Sequence, residues 1–406
     1  MTRVVQKYGG TSVASPARLR RVARRVRDAA AGAQVVVVVS AMGETTDELI
    51  ALAHSVSTDP PSREMDMLLS SGEIITAPLL AMALEAAGTR AVSLTGPQAG
   101  IRTSRAHRTA RIVDIVPQRV LDELDAGKVV VVAGFQGATE ELDITTLGRG
   151  GSDTSAVALA VAVRAQRCEI FTDVSGVHTA DPRLLPEARV IPVITYEEML
   201  ELAAAGARVI HPRAVEIGEA YGMEIRVRST FDEHPGTTIR SVANANMEER
   251  QKVRGIAHET DVAKVTLLGV PDSPGVAASI FGPLADEHIA VDIVVQNVSH
   301  AGTTDVSFTV PESDLRRAQQ MLDGVAKQVR ASGFSATADI AKVSVVGTGL
   351  RGTPSVFAQI FRALAEAGIN IQMISSSEIH VTCIIDRARV RDAVRALHAA
   401  FELESI

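Results

Sequence analysis

Apolar positions along this chain switch between two spacings. Short, nearly unbroken apolar runs stand at Val4-Val5-Gln6-Lys7, Val35 to Val39, Ala91-Val92-Ser93-Leu94, Val129 to Val132 and Ile170-Phe171-Thr172. The valine runs, which lack polar alternation, predict strands buried on both faces of a parallel sheet. Between the runs the spacing turns helical. After Ser15-Pro16, a cap followed by proline at the first helical position, Leu19, Val22, Ala23 and Val26 form one stripe. Another helix is expected from Glu48, and one of small apolar residues after Glu73. Thr154 to Val163, apolar all round, reads as a buried helix. Strands and helices alternating to about residue 245 predict one mainly parallel α/β domain over residues 1–245.

Beyond a polar stretch at Ser241 to Gln251 the chain repeats itself. Lys264-Val265-Thr266-Leu267-Leu268-Gly269 matches Lys342-Val343-Ser344-Val345-Val346-Gly347, Ile280-Phe281 matches Ile360-Phe361, and Ile289 and Val294 match Ile369 and Ile374. Each copy reads strand, glycine-proline loop, helix, strand, strand, helix. That predicts two ferredoxin-like βαββαβ units, at 264–335 and 342–406. Tandem copies are expected to bury sheets or edges against each other or against another subunit, so a homo-oligomer is expected. Gly347-x-Gly349-x-x-Gly352 fits the dinucleotide fingerprint, but its sister copy lacks it and no acid ends the next strand. It reads as a coincidence within the repeat.

Composition narrows the class. Hydrophobic content of 46% and charged content of 22% suit a soluble globular chain, and with no Trp the core must be Ala, Val, Ile and Leu. A net charge of −7, without an aromatic-basic platform, gives no reason to expect nucleic acid. Cys168 and Cys383 lack metal spacing and read as reduced interior residues. The chain starts directly in a strand, and no apolar run is expected to reach the ~18 residues that span a bilayer, so no membrane partner and a cytoplasmic location are expected.

Candidate chemistry gathers where strands end. In Thr146-Leu147-Gly148-Arg149-Gly150-Gly151-Ser152-Asp153-Thr154 the glycines leave N–H groups open to close approach, and Ser152 and Asp153 are natural helix caps. Such a turn feeding a helix is an anion site, because unpaired amides and the helix dipole both face the ligand. A plain turn capping a core helix has the same sequence. Arg149 adds a fork suited to carboxylate or phosphate. Tyr8-Gly9-Gly10-Thr11-Ser12 is a second glycine loop; Lys7 before it aims an ammonium at the loop's ligand, or is a surface lysine at a turn. Ser40, Thr45 and Asp47 follow the valine strand, where ligands of open α/β sheets bind. Glu73, the one charge between two apolar segments, is a helix-start carboxylate or the partner of a ligand ammonium. Asp173, Asp181 and Arg183 hold a nucleotide or knit their loop together, and Arg208 is a candidate phosphate contact. His178 has no second histidine at ligand spacing, which argues against a metal site. The arginines Arg18, Arg20, Arg21, Arg24, Arg25 and Arg27 read as a solvated helix face.

Taken together, Lys7-Tyr8-Gly9-Gly10-Thr11-Ser12, Ser40-Ala41-Met42-Gly43, Thr45-Thr46-Asp47-Glu48-Leu49, Ser71-Gly72-Glu73, Gly134-Phe135-Gln136-Gly137, Gly148 to Asp153 and Ala180-Asp181-Pro182-Arg183 resemble the aspartate kinases of the amino-acid kinase family. The C-terminal repeat resembles that family's paired ACT domains. The resemblance covers nearly the whole chain. It implies an αβα kinase domain, transfer of the γ-phosphate of Mg²⁺-ATP to the side-chain carboxylate of L-aspartate, and 4-phospho-L-aspartate as product. It implies that Lys7 and Asp153 are catalytic, and that Ser40, Thr45, Glu73, Arg149 and Ser152 bind aspartate. Lys7, Tyr8, Gly9, Gly10, Gly150, Gly151, Thr172, Asp173, His178, Asp181, Arg183 and Arg208 would line ATP. Asp272, Pro274, Gly275, Val276, Ala277, Asp292 and Gln296, with Asn370, Ile371 and Ser377, would take a feedback effector, threonine with or without lysine. Met247 would be a start for a shorter regulatory chain.

The chain departs from the family pattern at Ser175, usually acidic, and at His178, usually tyrosine, which bears on nucleotide affinity. Two other readings are a non-catalytic amino-acid sensor and a kinase of another acid such as glutamate. Lys7, Glu73, Arg149 and Asp153 standing together argue against the first. The Glu73 and Arg149 pair, suited to a zwitterion, with the ACT pair, argues against the second.

Overall fold

The computed structural model describes residues 1–207, 209–241, 252–297, 302–350 and 353–405. They form two compact units. The first holds Met1–Val177, Val190–Ala204 and residues 209–241; the second holds His178–Arg189, Ala205–Ala207 and the described residues from 252 onward.

In the first unit β1 (Arg3–Tyr8) leads through Gly9 into a single turn, α1 (Gly10–Val13), and then α2 (Pro16–Ala30). Ser15 caps α2 by accepting from the Arg18 amide, and Leu19, Val22, Ala23 and Val26 are its buried residues, as expected. Then come β2 (Gln34–Val39), α3 (Thr45–Val56), α4 (Ser62–Ala86) and β3 (Ala91–Leu94). A region of short elements follows: β4 (Ile101–Thr103), β5 (Ile112–Ile115), α5 (Gln118–Asp125), β6 (Val129–Ala133), β7 (Gln136–Ala138) and β8 (Ile144–Thr146). The unit closes with α6 (Gly151–Ala162), β9 (Arg167–Thr172), β10 (Val193–Ile194), α7 (Tyr196–Ala204), α8 (Pro212–Tyr221), β11 (Ile225–Ser229) and β12 (Thr237–Ile239).

Eight strands form one sheet in the order β10-β12-β11-β9-β1-β2-β6-β3. Its pairs are parallel except β11 with β12. The expected parallel α/β sheet is therefore present, and Val35 to Val39 are buried throughout it. A second sheet, β5-β4-β7-β8, was not legible in the sequence, because three- and four-residue strands leave no apolar run.

The reading of α4 is corrected. It is one 25-residue helix, not an apolar segment followed by a helix starting near Glu73. Ser70 and Ser71 return their hydroxyls to the carbonyls of Met67 and Leu68, so neither interrupts the helix. Gly72 lies against Ala41, where an added Cβ would come within 2.8 Å of the Ala41 methyl. By length and composition α4 could cross a bilayer, contrary to the sequence reading of apolar runs. Its packing on α2, β3, β6 and β8, and the buried carboxylates Asp66 and Glu73, mark it as a core helix.

The second unit starts with β13 (Gly255–Glu259). The first repeat is β14 (Ala263–Pro271), α9 (Val276–Asp286), β15 (Val294–Gln296), β16 (Thr303–Val310), α10 (Leu315–Gln328) and β17 (Gly333–Thr337), a complete βαββαβ unit. The second is β18 (Ile340–Val346), α11 (Pro354–Glu366), β19 (Met373–Ser376), β20 (His380–Asp386) and α12 (Val390–Ala400). Sheet orders are β15-β16-β14-β17 and β13-β18-β20-β19. No strand follows α12 among the described residues. Instead β13, which precedes the first repeat, pairs antiparallel with β18 as β17 pairs with β14. The two copies are thus interleaved rather than laid end to end, since an unpaired inner edge is filled by whichever strand can reach it.

The repeats also mirror each other in their ties. Lys264 Nζ lies 2.6 Å from Gln372 Oε1, and its counterpart Lys342 lies 2.6 Å from Asp292 Oδ2. Val262, Ile293, Ile340, Met373 and Ile384 form a small shared core. Ala180 and Leu185 pack into the second repeat's own core beside Val343 and Ile385. Cys168 and Cys383 are buried and unpaired.

Ile256 on β13 is 2% exposed. Ile256→Ala is expected to destabilise the second unit by about 2–4 kcal/mol and raise hydrogen exchange across residues 340–346. Unchanged exchange there would place β13 outside the second repeat's sheet.

Candidate active site

Parallel pairing brings three strand ends together. Tyr8 pairs with Val39 on one side and Phe171 on the other, so the loops after β1, β2 and β9 emerge side by side. Backbone bonds stitch them: Gly9 N to Phe171 O at 3.3 Å, Ser40 N to Tyr8 O at 3.1 Å, and Gly43 N to Gly10 O at 3.1 Å. A Cβ on Gly10 would approach the Ala41 carbonyl to 2.8 Å, so only glycine fits there. Tyr8 itself turns inward, stacked on Phe171 at 4.8 Å with its hydroxyl donating to Gln6 Oε1. Of Tyr8, only the backbone is left to face the loop.

The start of α6 differs from the sequence reading. Ser152 and Asp153 are not the cap; Gly150 is, in the left-handed conformation at φ 67°. A side chain at Gly150 would meet the His211 ring at 2.3 Å, so contact and backbone both require glycine. Ser152 and Asp153 fall in the first turn, where an acid matches the helix dipole. There Asp153 Oδ1 lies 2.7 Å from Lys7 Nζ, both side chains nearly nine-tenths buried. The contact is an ion pair not aligned as a hydrogen bond, and Oδ2 takes only a long bond, 3.3 Å, from the His211 amide. Phe135, at φ 68°, holds a backbone conformation that costs a non-glycine residue energy, and its ring sits over Gly151. Arg149 is exposed and has no side-chain partner among the described residues.

Glu73 lies mid-helix on α4, 4% exposed, so the helix-start alternative is excluded. Its Oε1 accepts from the Ala41 amide at 3.0 Å, while the buried Oε2 has no partner. Burial pushes its carboxyl up to about 7, against the pull of the amide bonds and of Lys7. A buried carboxylate with a free oxygen suits an incoming cation. Ser40 and Thr45 flank the same loop, Thr45 opening α3 beside Gly72.

Of the nucleotide candidates, Thr172 and Asp173 stand at the end of β9, and Thr172 donates to Asp173 Oδ1 at 3.1 Å. Thr230, missed in the sequence, donates its amide to the Thr172 carbonyl and shares a buried hydroxyl bond at 2.6 Å with Ser12 of the glycine loop. Ser175 donates to Asp232 Oδ2 at 2.8 Å, so a carboxylate still stands at the position where the resemblance led one to expect an acid. His178, Asp181 and Arg183 belong to the second unit. Burial disfavours the charged form of Asp181, but its bonds to Arg183, the shortest 2.9 Å, outweigh that and hold its carboxyl below the usual range. The loop-knitting alternative describes what these two side chains do here. Arg208 lies outside the described residues, as does Met247.

Asp153, with one oxygen free of hydrogen bonds, is an oxygen donor suited to a hard cation. No cluster of three or more His, Cys, Asp or Glu able to hold a metal occurs among the described residues.

Comparison with known proteins gives the family. The amino acid kinase family profile matches residues 2–229, and an ACT domain profile matches 265–324 and 343–401. The aspartokinase of Corynebacterium glutamicum is 49% identical over 407 residues, covering 99% of this chain and 97% of that protein. The aspartate kinase of Stutzerimonas stutzeri is 49% identical over 406 residues, covering 100% and 98%. The chain belongs to the aspartate kinases of the amino acid kinase family. It is an ATP-dependent kinase of aspartate with C-terminal ACT domains, and ATP-dependent transfer implies a divalent metal. Two solved structures of E. coli aspartokinase III share its fold at 25% identity, each covering 98% of this chain and 99% of that one. The complex with aspartate and ADP has a TM-score of 0.82, and the complex with lysine and aspartate 0.78.

Within this aspartate kinase the expected effector residues fall into groups. Asp272 to Ala277 surround the left-handed cap Gly275, at φ 92°. Asp292 lies toward the other end of that sheet: its amide bonds to Thr309, while Pro271 pairs with Thr303, ~20 Å along β16. Gln296, opposite Val306, lies between. Asn370 and Ile371 precede β19, and Ser377 follows it, 2.9 Å from His380 Nδ1.

The Glu73 environment makes a pH prediction. Between pH 4.5, the unfolded value, and about 7 the folded chain keeps a proton that the unfolded chain has lost. Stability from this group is therefore full below pH 4.5 and falls as pH rises through 7. Glu73→Gln keeps the bond to Ala41 and removes the slope. The variant should gain about 3 kcal/mol on wild type between pH 4 and pH 8 in ligand-free urea unfolding. Parallel curves would refute the assignment.

Proposed function

We propose that this aspartate kinase transfers the ATP γ-phosphate to the side-chain carboxylate of L-aspartate at the Lys7–Asp153 centre, giving 4-phospho-L-aspartate, the first step towards lysine, threonine, methionine and diaminopimelate. The observation that carries the assignment is the buried 2.7 Å ion pair between the loop after β1 and the first turn of α6.

Two anions must meet, so the chief barrier is electrostatic. An oxygen of the aspartate side chain, already ionised at neutral pH, forms the new bond to phosphorus. The bond to the bridging oxygen breaks, ADP leaves, and no proton has to move. Lys7 and the Gly10 and Gly150 amides take up the charge spreading over the transferred group, the Gly9 and Gly151 amides being given to the carbonyls of Phe171 and Gly148. Asp153 orients Lys7 and supplies the carboxylate that, with phosphate oxygens, would hold Mg²⁺; bound there, the ion neutralises phosphate charge. Arg149 clamps the aspartate α-carboxylate, the free Oε2 of Glu73 receives its ammonium, and Ser40, Thr45 and Ser152 close the pocket. Thr172 and Asp173, with Tyr8 through its backbone, line the nucleotide. The work is cytoplasmic.

Feedback acts through the ACT pair, with threonine, alone or with lysine, as effector, in a homo-oligomer joined through these domains. Coupling of about 1–3 kcal/mol would change apparent aspartate affinity roughly 5- to 150-fold. Titrating each amino acid against activity tests this, and indifference to both removes the regulatory claim.

An ammonium ~4 Å from a phosphate oxygen is worth about 4 kcal/mol at an effective dielectric of 20. If about half of that arises only in the transition state, Lys7→Ala slows turnover some tens of fold. Asp153→Ala should likewise lose most activity, at a cost in stability from leaving Lys7 buried without its partner. A coupled assay with aspartate, glutamate and no acceptor is the test: near-normal turnover in either variant, or equal use of glutamate, would overturn the assignment.

A further inference from the structure

Asp66 is fully buried on α4 and stands outside every role assigned above. Among the described residues no lysine or arginine side chain forms an ion pair with its carboxylate. It accepts the Arg108 amide at 3.1 and 3.0 Å and the Thr146 hydroxyl at 2.6 Å, and it faces His107 Nδ1 at 3.0 Å. A buried carboxylate filled by donors from distant segments is an anchor, because an apolar residue packs there without the cost of burying charge.

The anchored segment is the root of the glycine loop. Thr146 stands three residues before Arg149, and its carbonyl accepts the Ala110 amide at 3.0 Å. Arg213 then bridges the Leu147 and Ala110 carbonyls at 2.7 and 3.0 Å. Gly148, at φ 76°, sits so close to the Arg108 carbonyl that a Cβ would fall 2.9 Å from it. Arg108 itself has φ 66°, a conformation that a non-glycine residue keeps only when its surroundings impose it, and its amide is held by Asp66. Arg149, with no side-chain partner of its own among the described residues, takes its position from this backbone.

On the same helix, seven residues on and therefore two turns along one face, Glu73 holds the Ala41 loop. We infer that Asp66 is a positioning residue for aspartate: it fixes the loop that presents Arg149, so that α4 sets both ends of the amino-acid site, Asp66 the carboxylate-binding loop and Glu73 the ammonium end. The inference rests on the assignment of Arg149 to the substrate α-carboxylate.

The test is steady-state kinetics on the full-length enzyme. Asp66→Asn keeps the volume but replaces one acceptor oxygen with a donor that faces donors. It should raise KM for aspartate about tenfold while KM for ATP stays within twofold. Thr146→Val, which removes one bond without changing shape, should raise KM for aspartate about threefold, and it gives the answer if Asp66→Asn fails to fold. Arg149→Ala, run in parallel, tests the reading beneath. If it raises KM for aspartate while Thr146→Val and a folded Asp66→Asn do not, the positioning role is refuted and the Arg149 reading stands. If Arg149→Ala leaves that KM unchanged, the reading falls and the inference with it. Equal rises in both KM values, or a fall in kcat alone, would show a general structural role and also overturn it.

Discussion

An ammonium and a carboxylate 2.7 Å apart, almost withdrawn from water, hold the centre of the catalytic unit. Each is tolerable in the interior only because the other is there; removing one leaves a buried charge uncompensated. The pair can form because β1 lies between β2 and β9 in parallel, which delivers Lys7 to the strand ends, and because α6 begins beside them. The ion pair leaves Asp153 Oδ1 without a hydrogen bond, and Oδ2 has only one long one. Charge that is paired but not saturated is what an arriving polyanion with its counter-ion requires.

The long helix α4 is the second organising element. An apolar helix with two buried carboxylates two turns apart would be poor design if both were exposed to nothing but hydrocarbon. Each is instead spent on the backbone of a loop, Glu73 on Ala41 and Asp66 on Arg108. The two differ in how fully they are satisfied. Every oxygen of Asp66 is occupied, as befits an anchor, whereas Glu73 keeps one oxygen free and a raised pKa, the mark of a group awaiting a partner.

In the second unit, economy of strand edges explains the architecture. The second repeat lacks its own last strand among the described residues, and β13 fills the gap. Because β13 precedes the first repeat in the chain, the two copies cannot be separated by a single cut. The Lys264–Gln372 and Lys342–Asp292 ties, placed at equivalent positions, make their association nearly symmetrical. Residues 178–189 add to the same core through Ala180 and Leu185. A segment whose sequence resembles a nucleotide loop thus takes part of its order from the regulatory unit.

Read alone, the chain disclosed everything that depends on a turn or two of local geometry: the valine strands, the Ser15-Pro16 start of α2, the glycine loops at strand ends, the repeat, and Lys7, Glu73 and Asp153 as the groups worth watching. Spacing and capping are short-range properties, so they survive in one dimension. Pairings across long separations do not. Asp66 meets Arg108 and Thr146 across 42 and 80 residues, and nothing near it in the chain distinguishes it except its place seven residues before Glu73. The cap of α6 is Gly150, where the ring of His211, far downstream, leaves no room for a side chain. The place of β13 was likewise decided by a vacant hydrogen-bonding edge, which exists only once the sheet has formed. Local pattern determined which pieces form, and the satisfaction of buried polar groups determined how they meet, because that cost is settled only when distant segments leave water together.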